Sequence, residues 1–203
     1  MQSRNPYAAP QAPVIADLPE NFSADPATFE YGGFWRRVGA MVLDSLILSP
    51  LVILLLVLLN YTRNAYLYYA LPSVVINLFF YVWVVRRFGG TPGKRILSLR
   101  IAMTDGSPVT VRAATLRYLP MLLLHVLSLA ALVQATYSFG AGFESLSYVE
   151  KMVSISRLAP AWNNFVTGAL YVWWIASAIT LAANQRKRAI HDFIAGTVVV
   201  RTD

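Results

Sequence analysis

Residues 38 to 59 read VGAMVLDSLILSPLVILLLVLL, and this apolar run, interrupted by a single acidic residue, decides the fold. A helix needs about 20 residues to cross the hydrocarbon layer of a membrane. Three further runs of similar length and composition occupy residues 65 to 85, 118 to 138 and 162 to 183. The sequence therefore predicts an all-α membrane protein with four transmembrane helices.

The composition of the whole chain excludes an ordinary soluble enzyme. Of the 203 residues, 57% are apolar and 13% are charged, whereas soluble domains average about 45–50% and about 25%. The chain has no cysteine, which excludes disulfides, iron–sulfur clusters and thiol nucleophiles, and only His125 and His191 remain as soft metal ligands. We therefore predict no metal site and no cofactor.

The basic residues indicate a lipid partner and an orientation. The net charge of +7 could indicate nucleic acid, but the basic residues flank the apolar runs, where they contact anionic lipid instead. Fourteen of the 17 Lys and Arg residues lie before the first run, between the second and third runs, or after the fourth. By the positive-inside rule, this predicts a multi-pass protein of the cell inner membrane with both termini cytoplasmic.

The segments outside the four runs have distinct patterns. Residues 1 to 30 contain five prolines and no apolar run, which predicts a flexible cytoplasmic tail before a membrane domain at 31 to 202. This tail lacks the features of a cleaved signal peptide. The run ILSLRIAM, the turn Asp105-Gly106 and then SPVTV predict two short strands, and Thr197 to Arg201 (TVVVR) could add a third. A small cytoplasmic β element is therefore expected.

Residues 143 to 157 have a helical period. Phe143, Val149 and Val153 fall on one side, and Glu144 and Lys151 on the other. This pattern favours a helix on the outer membrane surface with the apolar side in lipid. A simple connecting loop is the alternative.

One polar group in each helix falls at a similar predicted depth. Asp44 is the only acid inside an apolar run, and an acid there costs about 2.5–3.5 kcal/mol on insertion scales, so it needs a partner. Counted from the nearest basic residue, Asp44, Asn77, His125 and Ser177 all lie about 10 to 14 Å below the cytoplasmic boundary. This polar layer could be a proton or cation relay, or it could be hydrogen bonding that holds the helices together. For His125 alone, the structural interpretation is favoured.

A charge cluster is predicted at the cytoplasmic end of the bundle, from the residues Arg37, Asp44, Lys94, His191 and Asp192. Arg37 is the expected centre, because its planar guanidinium could hold Asp44 and Asp192 at once. The segment Thr91-Pro92-Gly93-Lys94 matches a phosphate-binding loop only weakly, and a Pro-Gly turn that presents a basic residue near lipid is the favoured interpretation.

Three blocks of the sequence resemble the RDD family. They are Gly33 to Arg37 followed by Asp44; Thr91 to Arg95 leading to Leu99-Arg100-Ile101; and Ala189 to Asp192 with Ala195 to Val199. The family is named for an arginine and two aspartates, which would correspond here to Arg37, Asp44 and Asp192. The resemblance covers about residues 31 to 202, with Ser98 where the family often has glycine. It implies an integral membrane protein, with transport of ions or other ligands proposed for some relatives.

Two classes of function remain open. A transporter or transporter component could carry an ion or small ligand, for example as a cation/proton exchanger using Asp44, with Arg37 and Asp192 as a gate. Four helices without an internal repeat are few for alternating access, so this hypothesis needs a homo-oligomer. The alternative is a membrane scaffold or assembly factor with a structural charge cluster. An intramembrane enzyme is not expected, because a second membrane acid, a serine elbow and a metal-ligand set are all missing.

Overall fold

The computed structural model describes residues 29 to 202, so nearly all of the predicted Pro-rich tail lies outside the described residues. Four helical segments in the described part are long and apolar enough to cross a membrane. The elements are α1 (Phe34–Tyr61), α2 (Ala65–Leu78), a π-helical segment (Phe79–Trp83), α3 (Val84–Phe88), α4 (Pro92–Ile96), β1 (Leu99–Met103), α5 (Val111–Ser138), a 3₁₀ turn (Phe143–Ser145), α6 (Tyr148–Leu158), α7 (Trp162–Ala183), α8 (Ile190–Ala195) and β2 (Thr197–Arg201). The predicted fold class is confirmed.

Three of the four crossings extend beyond the apolar runs, and the fourth, α7, has the predicted bounds. The third begins at Val111 rather than at residue 118, because Thr110 caps it by accepting a hydrogen bond from the Ala113 backbone N–H at 3.1 Å. The second crossing runs through the π-helical segment and ends at Phe88, where Gly89 adopts a left-handed conformation with φ of +70°. Charged residues at the helix ends thus continue the helices although they interrupt the apolar pattern.

One end of the bundle carries a two-stranded sheet, and we call it the sheet end. Strands β1 and β2 are antiparallel, with Leu99 opposite Arg201 and Met103 opposite Thr197. The prediction that SPVTV forms a strand was wrong, because that segment makes only an isolated bridge, between Ala102 and Pro108. Proline has no N–H to donate to a ladder, and Thr110 already caps α5. The C-terminal segment is the true partner of β1.

Ser98 precedes β1 with a φ of +52°. This left-handed conformation is strained for a residue that has a Cβ atom, whereas glycine adopts it without strain. Glycine would therefore fit the backbone at position 98 better than serine does.

The opposite end of the bundle is covered by α6. The predicted helix is present, and Val149 is 67% exposed, as a side chain that faces lipid would be. Lys151, predicted on the polar side, is instead only 3% exposed. The Lys151 ammonium lies 3.4 Å from the carbonyl oxygen of Asn60 and 5.6 Å from the centre of the Phe143 ring. A long side chain with these partners can be buried although its charge predicts a solvent-facing position.

Candidate functional site

Asp44 is held by the segment that begins α4. Its Oδ1 accepts a hydrogen bond from the Gly93 backbone N–H at 2.7 Å, and its Oδ2 accepts one from the Thr91 hydroxyl at 2.6 Å. The Lys94 ammonium lies 3.9 Å from Oδ2 and donates a 3.3 Å hydrogen bond to the Thr91 hydroxyl. The Thr91-Pro92-Gly93-Lys94 segment is therefore a turn that binds a buried carboxylate of α1.

Asp192, in the first turn of α8, is fully buried. Its Oδ2 accepts hydrogen bonds from Arg37 Nη1 at 2.9 Å and from the Ala189 backbone N–H at 3.0 Å. Its Oδ1 accepts from Arg117 Nη1 and from the Thr197 hydroxyl. Four donors from four parts of the chain thus converge on one carboxylate, which ties α1, α5, α8 and β2 together.

The prediction that Arg37 bridges Asp44 and Asp192 was wrong. Arg37 binds Asp192, while its Nε donates to the Gly32 carbonyl at 3.0 Å and its Nη2 to the carbonyl of Lys187. Its three donors point to three separate acceptors, and Asp44 is bound instead by the Thr91 segment. The predicted cluster is therefore two neighbouring carboxylate sites.

Arg117 and Thr197 contact the Asp192 carboxylate but were absent from the predicted cluster. Arg117 Nη1 also donates to the Thr197 hydroxyl at 2.8 Å. The sequence did hold a signal for Arg117, which lies between the apolar residues Leu116 and Tyr118 near the start of a membrane run. An arginine in such a place requires an anionic partner.

The electrostatics of α8 follow from these contacts. Burial alone would raise the pKa of Asp192. That pKa is nevertheless held below its usual range by the charges of Arg117, His191 and Arg37 and by the hydrogen bond from the Ala189 N–H. Burial, and then the positive charge of Arg117, lower the pKa of His191 to about 3. Asp192 is therefore ionised and His191 neutral at pH 7.

The predicted polar layer is divided in the structure. The Ser73 hydroxyl lies 3.2 Å from His125 Nε2, and Asn77 donates a 2.8 Å hydrogen bond to the Ser73 carbonyl. The first contact joins α2 to α5, and the second lies within α2. By contrast, the Ser177 hydroxyl is buried with no hydrogen-bond partner among the described residues.

A cavity of about 500 Å³ is lined by residues of both predicted sets, although Asp192 is not among them. Its charged and ionisable lining residues are Arg37, Asp44, Lys94, Arg117 and His191, and its polar ones include Asn77, His125 and Ser177. Apolar walls come from α1, α5 and α7 and include Met41, Met121, Trp173 and Trp174. The volume is within the range of about 300–1,000 Å³ that is typical of small-molecule sites.

These features define the class of the protein: it is a multi-pass membrane protein with four apolar helices and a charged cavity at one end. The chain belongs to the RDD family, whose sequence profile matches residues 31–196. It is 27% identical over 176 residues to "Uncharacterized protein YckC" of Bacillus subtilis (strain 168), a match that covers 84% of this chain and 85% of that protein. No solved structure matches the chain significantly.

Proposed function

We propose that this protein is a transporter, or the membrane component of one, that handles an ion or small ligand in the cavity described above. The observation that carries this proposal is the lining of that cavity. Charged groups at the sheet end and polar groups deeper in the bundle line one common space. A mainly apolar cavity with a few convergent polar groups is the usual form of a ligand site, and this proposal is for a non-enzymatic role.

The same geometry argues against Asp44 as an exchanging cation site. Both of its oxygens already accept short hydrogen bonds, from Gly93 and Thr91. A cation that bound Asp44 would have to compete with these donors for the carboxylate, beside the positive charge of Lys94, which lies 3.9 Å away. We therefore assign Asp44 to holding the Thr91 segment in place, and Lys94 to the cavity wall that a ligand would contact.

Orientation is part of the proposal. The start of α1, the two-stranded sheet and β2 lie at one end of the bundle, and the segments at that end are rich in Lys and Arg. The positive-inside rule then assigns the sheet end to the cytoplasm and the α6 end to the outer side of the cell inner membrane. A ligand would enter the charged part of the cavity from the cytoplasmic half of the bilayer.

Reporter fusions test this orientation. Alkaline phosphatase fused after Asp105 or Asp203 should be inactive, and fused near Arg63 or Glu150 it should be active, because that enzyme matures only outside the cytoplasm. Green fluorescent protein fused at the same four positions should give the opposite pattern. Activity reversed at any of these positions would remove one crossing from the proposed arrangement.

Transport itself is tested by closing the cavity. In Ser177→Phe, the added ring would fill space next to Asn77 and His125 without changing any charge. Purified protein in liposomes should conduct at least one of protons, sodium, chloride or butyrate above protein-free liposomes, and Ser177→Phe should abolish that flux. The matched control is Ser45→Phe, at an exposed serine of α1, which should keep it. Flux that is absent, or equal in both variants, would contradict the proposal.

A scaffold role is the second candidate, and one observation favours it. The two buried aspartates are fully engaged by donors of the protein itself, as a purely structural cluster would be. A scaffold predicts no flux for wild type and unchanged partner recruitment in Ser177→Phe, since filling an internal cavity leaves the outer surface intact. The two candidates thus give opposite results in the same pair of variants.

A transporter with only four helices would also be expected to assemble as a homo-oligomer, which cross-linking in liposomes would detect.

A further inference from the structure

The charged end of the cavity has more cations than anions. Arg37 and Arg117 share the single carboxylate of Asp192, and Lys94 is paired only loosely with Asp44, at 3.9 Å. With both acids ionised, the five groups carry one net positive charge. Arg188 adds another guanidinium beside them, donating a 2.9 Å hydrogen bond to the Asp192 carbonyl and a 3.1 Å one to the Thr197 carbonyl.

Lys94 is the cation best placed to receive a ligand. Its ammonium has three N–H donors, and the hydrogen bond it makes to Thr91 is long, at 3.3 Å. It lines the cavity, as do the Arg117 guanidinium and the neutral imidazole of His191. The Lys94 side chain is only 17% exposed, and a largely buried cation with unused donors is costly unless an anion or water completes its shell.

The rest of the cavity is apolar and opens sideways. Met41 of α1 and Trp174 of α7 line it, yet they are 40% and 48% exposed, so the cavity reaches the surface between these two helices. Trp173, the neighbour of Trp174, lies ten residues before the end of α7. This is about 15 Å along the helix from its end near the sheet. The opening is therefore within the membrane-crossing part, where acyl chains surround the protein.

We infer that the cavity binds an amphipathic monoanion, with its carboxylate or phosphate group at Lys94, Arg117 and His191 and its apolar chain between α1 and α7. One negative charge offsets the net charge of Arg37, Asp44, Lys94, Arg117 and Asp192. The apolar chain fills the space between the walls near Met121 and Trp173. The Ser177 hydroxyl, buried without a partner among the described residues, faces this same space. The inference deepens the proposed function and rests on its assignment of the cavity as the ligand site. The ligand could be a soluble amphipathic acid or an anionic lipid of the bilayer.

Quenching of tryptophan fluorescence tests the inference, because Trp173 and Trp174 line the cavity. The full chain is placed in phosphatidylcholine nanodiscs and titrated with ω-bromododecanoate or with its uncharged methyl ester. We expect a saturable component of quenching for the acid that the ester lacks. Lys94→Gln should lower the affinity of this saturable component about tenfold, which corresponds to the loss of one charge-assisted hydrogen bond. Ser177→Phe should remove the saturable component.

The control variant is Arg112→Gln, which removes one positive charge from an exposed position at the same end of the bundle. It should leave the saturable component unchanged. Equal quenching by acid and ester, or equal saturable binding in wild type and Ser177→Phe, would overturn the inference.

A second arm identifies the source of the anion. If a lipid occupies the site, brominated phosphatidylglycerol should quench the tryptophan fluorescence more than brominated phosphatidylcholine does. Added dodecanoate should then remove this additional quenching. If dodecanoate binds and phosphatidylglycerol gives no excess, the ligand is a soluble acid, and if neither binds selectively the inference fails. Selective binding without cavity-dependent flux would support the inference and contradict the proposed transport. Cavity-dependent flux without selective binding would support transport and contradict the inference.

Discussion

Asp192→Asn is expected to lower the free energy of unfolding by about 3–5 kcal/mol, the usual cost of breaking a buried ion pair on one side. The carboxylate is fully buried and accepts from Arg37, Arg117, Thr197 and the Ala189 N–H. An amide has one acceptor oxygen instead of two, so its N–H groups would face donors, and two guanidiniums would lose their counter-charge. Unfolding by sodium dodecyl sulfate in mixed micelles at pH 7 measures the change.

The choice of pH follows from the titration of Asp192. Its pKa is depressed in the folded protein, so its contribution to stability is complete above the ordinary carboxyl pKa and is lost as the pH falls through the lower folded value. Measurement at pH 7 therefore captures the whole contribution. The matched control is Asp105→Asn, at an exposed aspartate that accepts hydrogen bonds from Ser107, and it should change stability little. Equal effects of the two variants would contradict the buried site.

A double-mutant cycle distinguishes two carboxylate sites from one bridged cluster. Asp192→Asn and Arg117→Gln should be strongly coupled, because they remove two ends of one interaction. Asp44→Asn and Asp192→Asn should be close to additive, since the two acids share no hydrogen-bond donor among the described residues. Arg37→Lys should be less stable than wild type, although it keeps the charge. A lysine ammonium cannot reach the Gly32 carbonyl, the Lys187 carbonyl and Asp192 together.

Most of the fold could be predicted from the sequence because the membrane imposes a simple rule. Each helix must satisfy its backbone internally and present apolar side chains to lipid, so four apolar runs predict four crossings. The errors arose where this rule does not apply. The SPVTV segment has the composition of a strand, but its hydrogen bonds are limited by Pro108 and by the cap of α5, and Lys151 is buried by partners distant in sequence.

The composition of the charge cluster was easier to predict than its pairing. The cost of burying Asp44 and the positions of Lys94 and Asp192 in the chain were enough to place these residues at one end of the bundle. Pairing depends on where the α4 and α8 segments pack, and sequence spacing does not determine that. The α4 segment meets α1 through the Gly93 backbone N–H, a group that no pattern of side chains reveals.

Gly93→Ala is expected to destabilise the protein by about 2–5 kcal/mol, combining overpacking with the loss of a hydrogen bond to a buried carboxylate. A Cβ at position 93 would collide with the carbonyl oxygen of Ala40 and lie 2.8 Å from Asp44 Oδ1. The first of these atoms belongs to the backbone of α1, which cannot move aside as a flexible side chain can. The α4 segment would have to withdraw, releasing Asp44 from both the Gly93 N–H and the Thr91 hydroxyl.

Gly168→Ala is the matched control, because a Cβ at that position of α7 meets nothing within 4 Å and alanine favours a helix over glycine. It should be neutral or slightly stabilising under the same unfolding conditions. Thr91→Val tests the hydrogen bonds without the overpacking. It removes the hydroxyl that donates to Asp44 and accepts from Lys94 and should cost less than Gly93→Ala. If Gly93→Ala were tolerated as well as Gly168→Ala, α4 would not pack directly on the α1 backbone. Lys94 would then lose the anchor that holds it at the cavity wall.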